Sequence, residues 1–247
     1  MSQGYSVTSS PIADELLLVH NLMHPGRLRE ALLGYYHSQA LTSALVSRMV
    51  APQPGELVCD LCAEPGSKTS HMAQLMHNQG IIVANEPAHA RLFMLEYNLK
   101  HLGISNVVTT RYAGQNFPLR YKFARLLVDA PCSGTGTLRR NPEARWRLQP
   151  AIVDRFPAQQ LALLVTYAPL VAAGGRLIYA TCSVLRSEND DVVARFCAER
   201  PDFAVFPLKE IWGKERAEPL GGGTVLRLSP EQHDTDGFFA AVLRRAR

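Results

Sequence analysis

From Glu56 to the C-terminus, short apolar runs rich in β-branched residues alternate with longer stretches of helical periodicity. The runs lie at 57–61, 81–84, 107–110, 123–129 and 176–181; the helical stretches lie at 69–78, 88–101, 152–171 and 188–199. Strands that alternate with helices predict a doubly wound, mostly parallel α/β sheet. Residues 203–206 and 237–243 are expected to close it as an antiparallel pair, and Gly221-Gly222-Gly223 reads as a hairpin loop. Upstream, residues 1–33 read as mostly helical, with short patterns at 13–19 and 28–33 parted by His24-Pro25-Gly26. A third helix is predicted at 41–50, stopped by Pro52 and Pro54. The expected division is a helical N-terminal extension, 1–50, and a main domain, 51–247.

The 247 residues suffice for a sizeable core, and no apolar run approaches the length of a membrane-spanning helix. No secretory signal is recognisable. Five cysteines, an odd number, argue against a disulfide scaffold and for reduced thiols in a cytoplasmic setting. The net charge of +4 decides little, but 21 of the 26 basic residues are arginine, which suits phosphate and base contacts better than lysine. A genome that favours arginine codons would give the same bias.

Between the first strand and its helix runs Asp60-Leu61-Cys62-Ala63-Glu64-Pro65-Gly66-Ser67-Lys68-Thr69. Open α/β sheets bind ligands at such turns, where the strand ends and a helix begins. Glu86 closes the second strand about 20 residues on, where a carboxylate accepts hydrogen bonds from ribose hydroxyls. A phosphate-binding P-loop needs glycines where Cys62 and Ser67 stand, and the dinucleotide fingerprint is absent. A glycine-poor loop fits a nucleoside ligand without a pyrophosphate, such as S-adenosylmethionine (SAM). Cys59 and Cys62 have CxxC spacing, but no second pair exists, so no metal is expected.

Two strands end in cysteines. Leu126-Leu127-Val128 leads into Asp129-Ala130-Pro131-Cys132-Ser133-Gly134-Thr135-Gly136, and Leu177-Ile178-Tyr179-Ala180-Thr181 leads into Cys182-Ser183. Neighbouring strands lie roughly 5 Å apart, so the two thiols would share one cleft beside the Gly66 loop. A thiolate is a strong nucleophile that adds to C6 of a pyrimidine and so activates C5 toward an electrophilic methyl group. Asp129 would hold the base edge, and a second thiol would help remove the C5 proton. The plainer reading is two buried structural cysteines. Downstream, residues 137–147 carry Arg139, Arg140, Arg145, Arg147 and Trp146. Arginines there would neutralise phosphates and Trp146 would stack on a base; the plainer reading is a solvated surface with Trp146 in the core.

Four segments, 60–69, 129–136, 179–189 (with Thr181-Cys182-Ser183 and Glu188-Asn189) and 233–240, occur in order and at matching spacing. By them the chain resembles the RNA 5-methylcytosine methyltransferases of the bacterial Fmu/Sun and eukaryotic Nol1/Nop2 family, from about residue 34 to the end. The resemblance implies a seven-stranded, Rossmann-like SAM-methyltransferase sheet, with SAM as cofactor and rRNA or tRNA as substrate. It implies Cys182 as nucleophile, Cys132 as the helper in product release and Asp129 as the cytosine contact. SAM contacts would fall to Cys62, Ala63, Glu64, Pro65, Gly66, Ser67, Lys68, Glu86, Arg91 and Asp129. Departures are Glu64 and Ser67 in the loop, and Ala113 where the family has an aspartate that reads adenine. A cytoplasmic monomer without membrane contact is expected. The competing readings are a non-catalytic RNA-binding or ribosome-assembly factor on the same fold, and a DNA cytosine methyltransferase, against which Thr181-Cys182-Ser183 speaks.

Overall fold

A computed structural model describes residues 5–10, 15–113, 116–118 and 120–247, which divide into two compact units, 1–38 and 39–247. In the first unit, Ser6–Ser9 and Leu17–His20 form an antiparallel hairpin with Val7 opposite Val19, and Arg29–Leu32 forms one helical turn. The helix expected at 13–19 is therefore a strand in its described second half. Pairing of β-branched Val7 and Thr8 with Val19 and Leu18 outweighs local helix preference. Residues 13 and 14, the start of that expected helix, lie outside the described residues.

The second unit opens with helix α1 (Leu41–Val50), which buries Ala44, Leu45, Val46, Met49 and Val50. It ends on a left-handed Ala51 (φ 47°) ahead of Pro52. Although expected in the N-terminal extension, α1 packs on the second unit's sheet and on helix α2 (Ser67–Leu75), so the division falls at 38/39 rather than 50/51.

The strands are β1 (Leu57–Asp60), β2 (Ile81–Asn85), β3 (Val107–Thr110), β4 (Phe123–Asp129), β5 (Val171–Thr181), β6 (Phe203–Val205), β7 (Leu226–Leu228) and β8 (Phe238–Arg245). Their order is β3-β2-β1-β4-β5-β8-β6, parallel from β3 to β5, with β8 antiparallel to both β5 and β6. All seven expected strands form this path. The three-residue β7, too short to show a pattern, adds an eighth off the path by pairing with β8.

Helices α3 (His89–His101), α4 (Phe156–Tyr167) and α5 (Asp190–Glu199) complete the layers. The long helix expected at 152–171 is interrupted. Pro157 sits in the first turn of α4, where a proline is tolerated, and Pro169 lies in a 3₁₀ turn that hands the chain to β5 at Val171. The main core lies between the sheet and α4 and α5, with Leu126, Val128, Leu177, Tyr179, Leu164 and Phe196 buried there. Strand order reverses between β1 and β4. The loops after β1, β4 and β5 therefore open into one crevice, the place where such sheets bind ligands.

Candidate active site

Cys62, Ala63, Glu64, Pro65, Ser67, Lys68 and Asp129 line one cleft, joined by Asp60 and Ser43. The turn into α2 depends on Gly66, at φ 102°, where a β-carbon would also press on Leu95 at 3.0 Å. Ser67 is the first residue of α2 in ordinary helical geometry, so its side chain meets no strain. No side chain caps α2 at this end, which leaves the positive end of its dipole at the cleft.

Lys68 Nζ lies 2.6 Å from Asp129 Oδ2. Burial lowers the lysine's proton affinity, but Asp129 first, and then Asp60 and Cys182, together more than offset that and raise its pKa overall. Asp60, at the end of β1, accepts a 2.7 Å hydrogen bond from Thr69 on Oδ2, while its buried Oδ1 has no partner among the described residues. Burial pushes the Asp60 carboxyl up to about 6, against the pull of Thr69 and Lys68. The folded protein therefore keeps a proton, between about pH 4 and 6, that the unfolded chain has released. Stability from this group falls as pH rises through that window. Asp60→Asn can still accept from Thr69 but never ionises. It should gain on the order of 2 kcal/mol over wild type between pH 4 and pH 8, as read by urea unfolding at both. A pH-independent difference would refute this account of Asp60.

Pairing of β4 with β5 sets Asp129 opposite Ala180 and brings the two cysteine loops together. The Sγ atoms of Cys132 and Cys182 are 3.1 Å apart. The Cys132 thiol is raised, first by its hydrogen bond to Cys182 and then by burial. The Cys182 thiol is held below the ordinary value by that same hydrogen bond, with help from the Lys68 charge and against burial. The two sulfurs share one hydrogen bond, in which the S–H of one stabilises the thiolate of the other, and the Lys68 charge beside Cys182 favours that sulfur as the thiolate.

Glu188 fixes this arrangement, a role its sequence position does not signal. Fully buried, its carboxylate accepts from Ser133 N (2.9 Å), Ser133 Oγ (2.5 Å), Ser183 Oγ (2.7 Å) and Gln160 Nε2 (2.9 Å). Asn189 holds the second loop by accepting from Thr181 Oγ1 and donating to the Ser183 carbonyl. Gly136 donates to the Cys182 carbonyl at 2.9 Å, and a β-carbon there would meet the Gly237 oxygen at 2.0 Å, so only glycine fits.

The other expected residues stand apart from the cleft lining. Glu86 is buried, accepting from the Ala88 amide and pairing with exposed Arg91 at 3.3 Å; both act electrostatically on Cys62. Ala113 is exposed beyond β3. Arg139 and Arg140 pair with Asp234 and Asp236, which ties the 137–147 stretch to the segment before β8. Arg145 stacks on Trp146 at 4.8 Å, and Arg147 is exposed. Trp146 is 78% exposed, so the reading that placed it in the core is overturned. Asp60 carried the same signal as Asp129, a carboxylate ending an apolar run, and was readable on that ground.

The family model described as 16S rRNA methyltransferase RsmB/F matches residues 47–244. A probable ribosomal RNA small subunit methyltransferase B from Synechocystis is 36% identical over 217 residues, 86% of this chain and 48% of that protein. A human 28S rRNA (cytosine-C(5))-methyltransferase is 35% identical over 243 residues, 93% of this chain and 30% of that protein. The crystal structure of PH0851 superimposes with a TM-score of 0.89 at 33% identity, covering 98% of this chain and 54% of that one. The chain spans about half the length of the bacterial relatives it matches.

Proposed function

Because the chain belongs to the 16S rRNA methyltransferase RsmB/F family, we propose that it methylates C5 of a cytosine in RNA, with SAM as methyl donor. The observation that carries this reading is the pair of thiols, 3.1 Å apart, beside the Lys68–Asp129 pair at the crevice. The cleft suits SAM. It offers an unpartnered buried carboxylate oxygen on Asp60, an uncapped helix end and a turn that admits only glycine at Gly66. Cys62 through Lys68, with Asp129, would hold the ligand, and Glu86, backed by Arg91, would take the ribose. Ala113 offers no polar contact, which lowers affinity by roughly 0.5–1.5 kcal/mol relative to a hydrogen-bonding residue. When bound, SAM supplies the electrophilic methyl group.

The chain's own residues do the rest. The Cys182 thiolate forms a bond to C6, and the ring's electron pair moves to C5. Asp129, held by Lys68, hydrogen-bonds the base edge and orients the ring. After C5 is alkylated its proton must leave, so that the C5=C6 bond re-forms and the Cys182–C6 bond breaks. Once the Cys182 sulfur is bonded to carbon, the interaction that raised the Cys132 thiol is gone. Cys132 then ionises more readily, at the stage that needs a base. Arg145, Trp146 and Arg147 are assigned to the RNA strand, and Arg139 and Arg140, paired with Asp234 and Asp236, hold that stretch in place.

The non-catalytic alternative has no use for the matched thiols. A cytoplasmic setting is proposed from the five cysteines, which are free thiols; no helix among the described residues is long and apolar enough to cross a membrane. Labelled SAM, purified protein and unmodified rRNA should yield methyl label that bisulfite sequencing locates at single cytosines. Label on no RNA, with rRNA and tRNA both supplied, would defeat the proposal.

A further inference from the structure

The end of the sheet opposite the thiols carries a charge arrangement that the reaction does not use. Arg125 on β4 lies beside Arg176 on β5, and Arg176 lies beside Arg244 on β8, by strand register. Residues in register project to the same face, so three guanidinium groups form a row across three adjacent strands. Like charges set directly opposite are destabilising. Arg125 is offset by Glu56 at 3.2 Å. Arg176 and Arg244 form no ion pair or hydrogen bond among the described residues. Both lie over the Phe206 ring, at 4.8 and 5.3 Å. Nearby Arg200 and Arg245 differ, since both pair with Asp202. Burial, with Arg125 and Arg244 alongside, makes the Arg176 charge harder to hold, and Glu56 only partly relieves it. All three arginines are half-buried, and among the described residues only Arg125 of the three spends a donor, on Glu56.

We propose that Arg176 and Arg244, held on Phe206 beside Arg125, bind backbone phosphates of the RNA at the end of the sheet remote from the thiols. The planar forks match phosphate oxygens, and the shared ring fixes them in advance, which reduces the entropy lost on binding. A phosphate placed there relieves the repulsion within the row. This patch lies outside the 137–147 stretch, so RNA held at both places would run from one end of the sheet to the other. The inference rests on the RNA reading above, and its test separates the two.

A fluorescein-labelled 20-nucleotide oligouridylate, which contains no target cytosine, is titrated between 50 and 200 mM salt. Arg176→Gln/Arg244→Gln should flatten the slope of log affinity against log salt by about 1.4, two phosphates at roughly 0.7 each in a single strand. That corresponds to about sevenfold less salt sensitivity over this range. Arg176→Lys/Arg244→Lys keeps the charges and should retain most of the slope. Equal slopes for wild type and the glutamine variant overturn the patch. So does a lysine variant that behaves like the glutamine one, since packing on Phe206 would then be the whole role. If inorganic triphosphate affinity drops while oligouridylate binding is unchanged, the site takes free anions and the RNA proposal is overturned. Wild type that binds no oligouridylate overturns the RNA reading itself. Unchanged melting temperature and labelled-SAM binding verify the fold. Should the double variant not fold, Arg244→Gln alone carries the test, with an expected change of about 0.7.

Discussion

Cys182→Ala abolishes methyl transfer, by on the order of 10⁴-fold or more, while Cys132→Ala transfers one methyl group and remains covalently joined to the RNA. This is the expected outcome if the two thiols divide the reaction as their environments suggest. Removing a covalent nucleophile eliminates the route it opens, and no neighbour replaces it. Cys132 is a poor substitute: Cys182→Ala frees it of that hydrogen bond, but its burial still holds its proton in place. Removing Cys132 leaves the attack possible and the release impaired. The protein–RNA adduct should then survive denaturing electrophoresis and carry methyl label. A second consequence concerns pH. The Cys182 thiolate is stabilised first by the Cys132 S–H. Without that donor its pKa rises, so adduct formation by Cys132→Ala should be slower near pH 7 and recover as pH increases. If Cys132→Ala abolished the reaction and Cys182→Ala trapped the RNA, the two roles would have to be exchanged.

The parts of the fold that depend on local chain character were legible. The run 123–129 announces a strand and its abrupt end at Asp129, and the recurrence at 177–182 places the second thiol on a neighbouring strand. What escaped depends on pairing over distance. Leu17–His20 becomes a strand because Ser6–Ser9 lies beside it. β7 exists because β8 offers it a free edge. Glu188 shows as one member of a motif, but its function appears only when two loops 50 residues apart meet around one carboxylate. The arginine row is likewise a product of register, since Arg125, Arg176 and Arg244 share nothing in sequence. Trp146 was ambiguous for a related reason: nothing in its neighbours says whether a helix will cover it.

The clamp at Glu188 gives the largest expected effect on stability. Glu188→Ala should cost about 3–5 kcal/mol and release both thiol loops together. The side chain is fully buried and accepts four hydrogen bonds from three parts of the chain. Alanine removes every acceptor at once and leaves the Ser133 amide N–H and one N–H of Gln160, whose nitrogen still donates to the Pro131 carbonyl, without their acceptor, each costing roughly 1–3 kcal/mol. Glu188→Gln separates the acceptor role from simple occupancy. The glutamine oxygen can remain where Oε2 meets the Ser133 and Gln160 amides. Its NH₂ then falls where Oε1 met the Ser133 and Ser183 hydroxyls, and hydroxyls can rotate to accept. Glutamine should therefore cost only about 1–2 kcal/mol and preserve most of the rate, whereas alanine should lose rate beyond its loss of folded protein. Urea unfolding supplies the stabilities. Single-turnover methylation, corrected for the folded fraction, supplies the rates. An alanine variant within about 0.5 kcal/mol of wild type, or a glutamine variant as impaired as alanine, would show that the loops are positioned by something other than this carboxylate. The distinction matters for the chemistry, because the 3.1 Å approach of the two sulfurs separates the donor thiol from the attacking one. That approach is set by strands that end together and by a single buried acid that binds both loops.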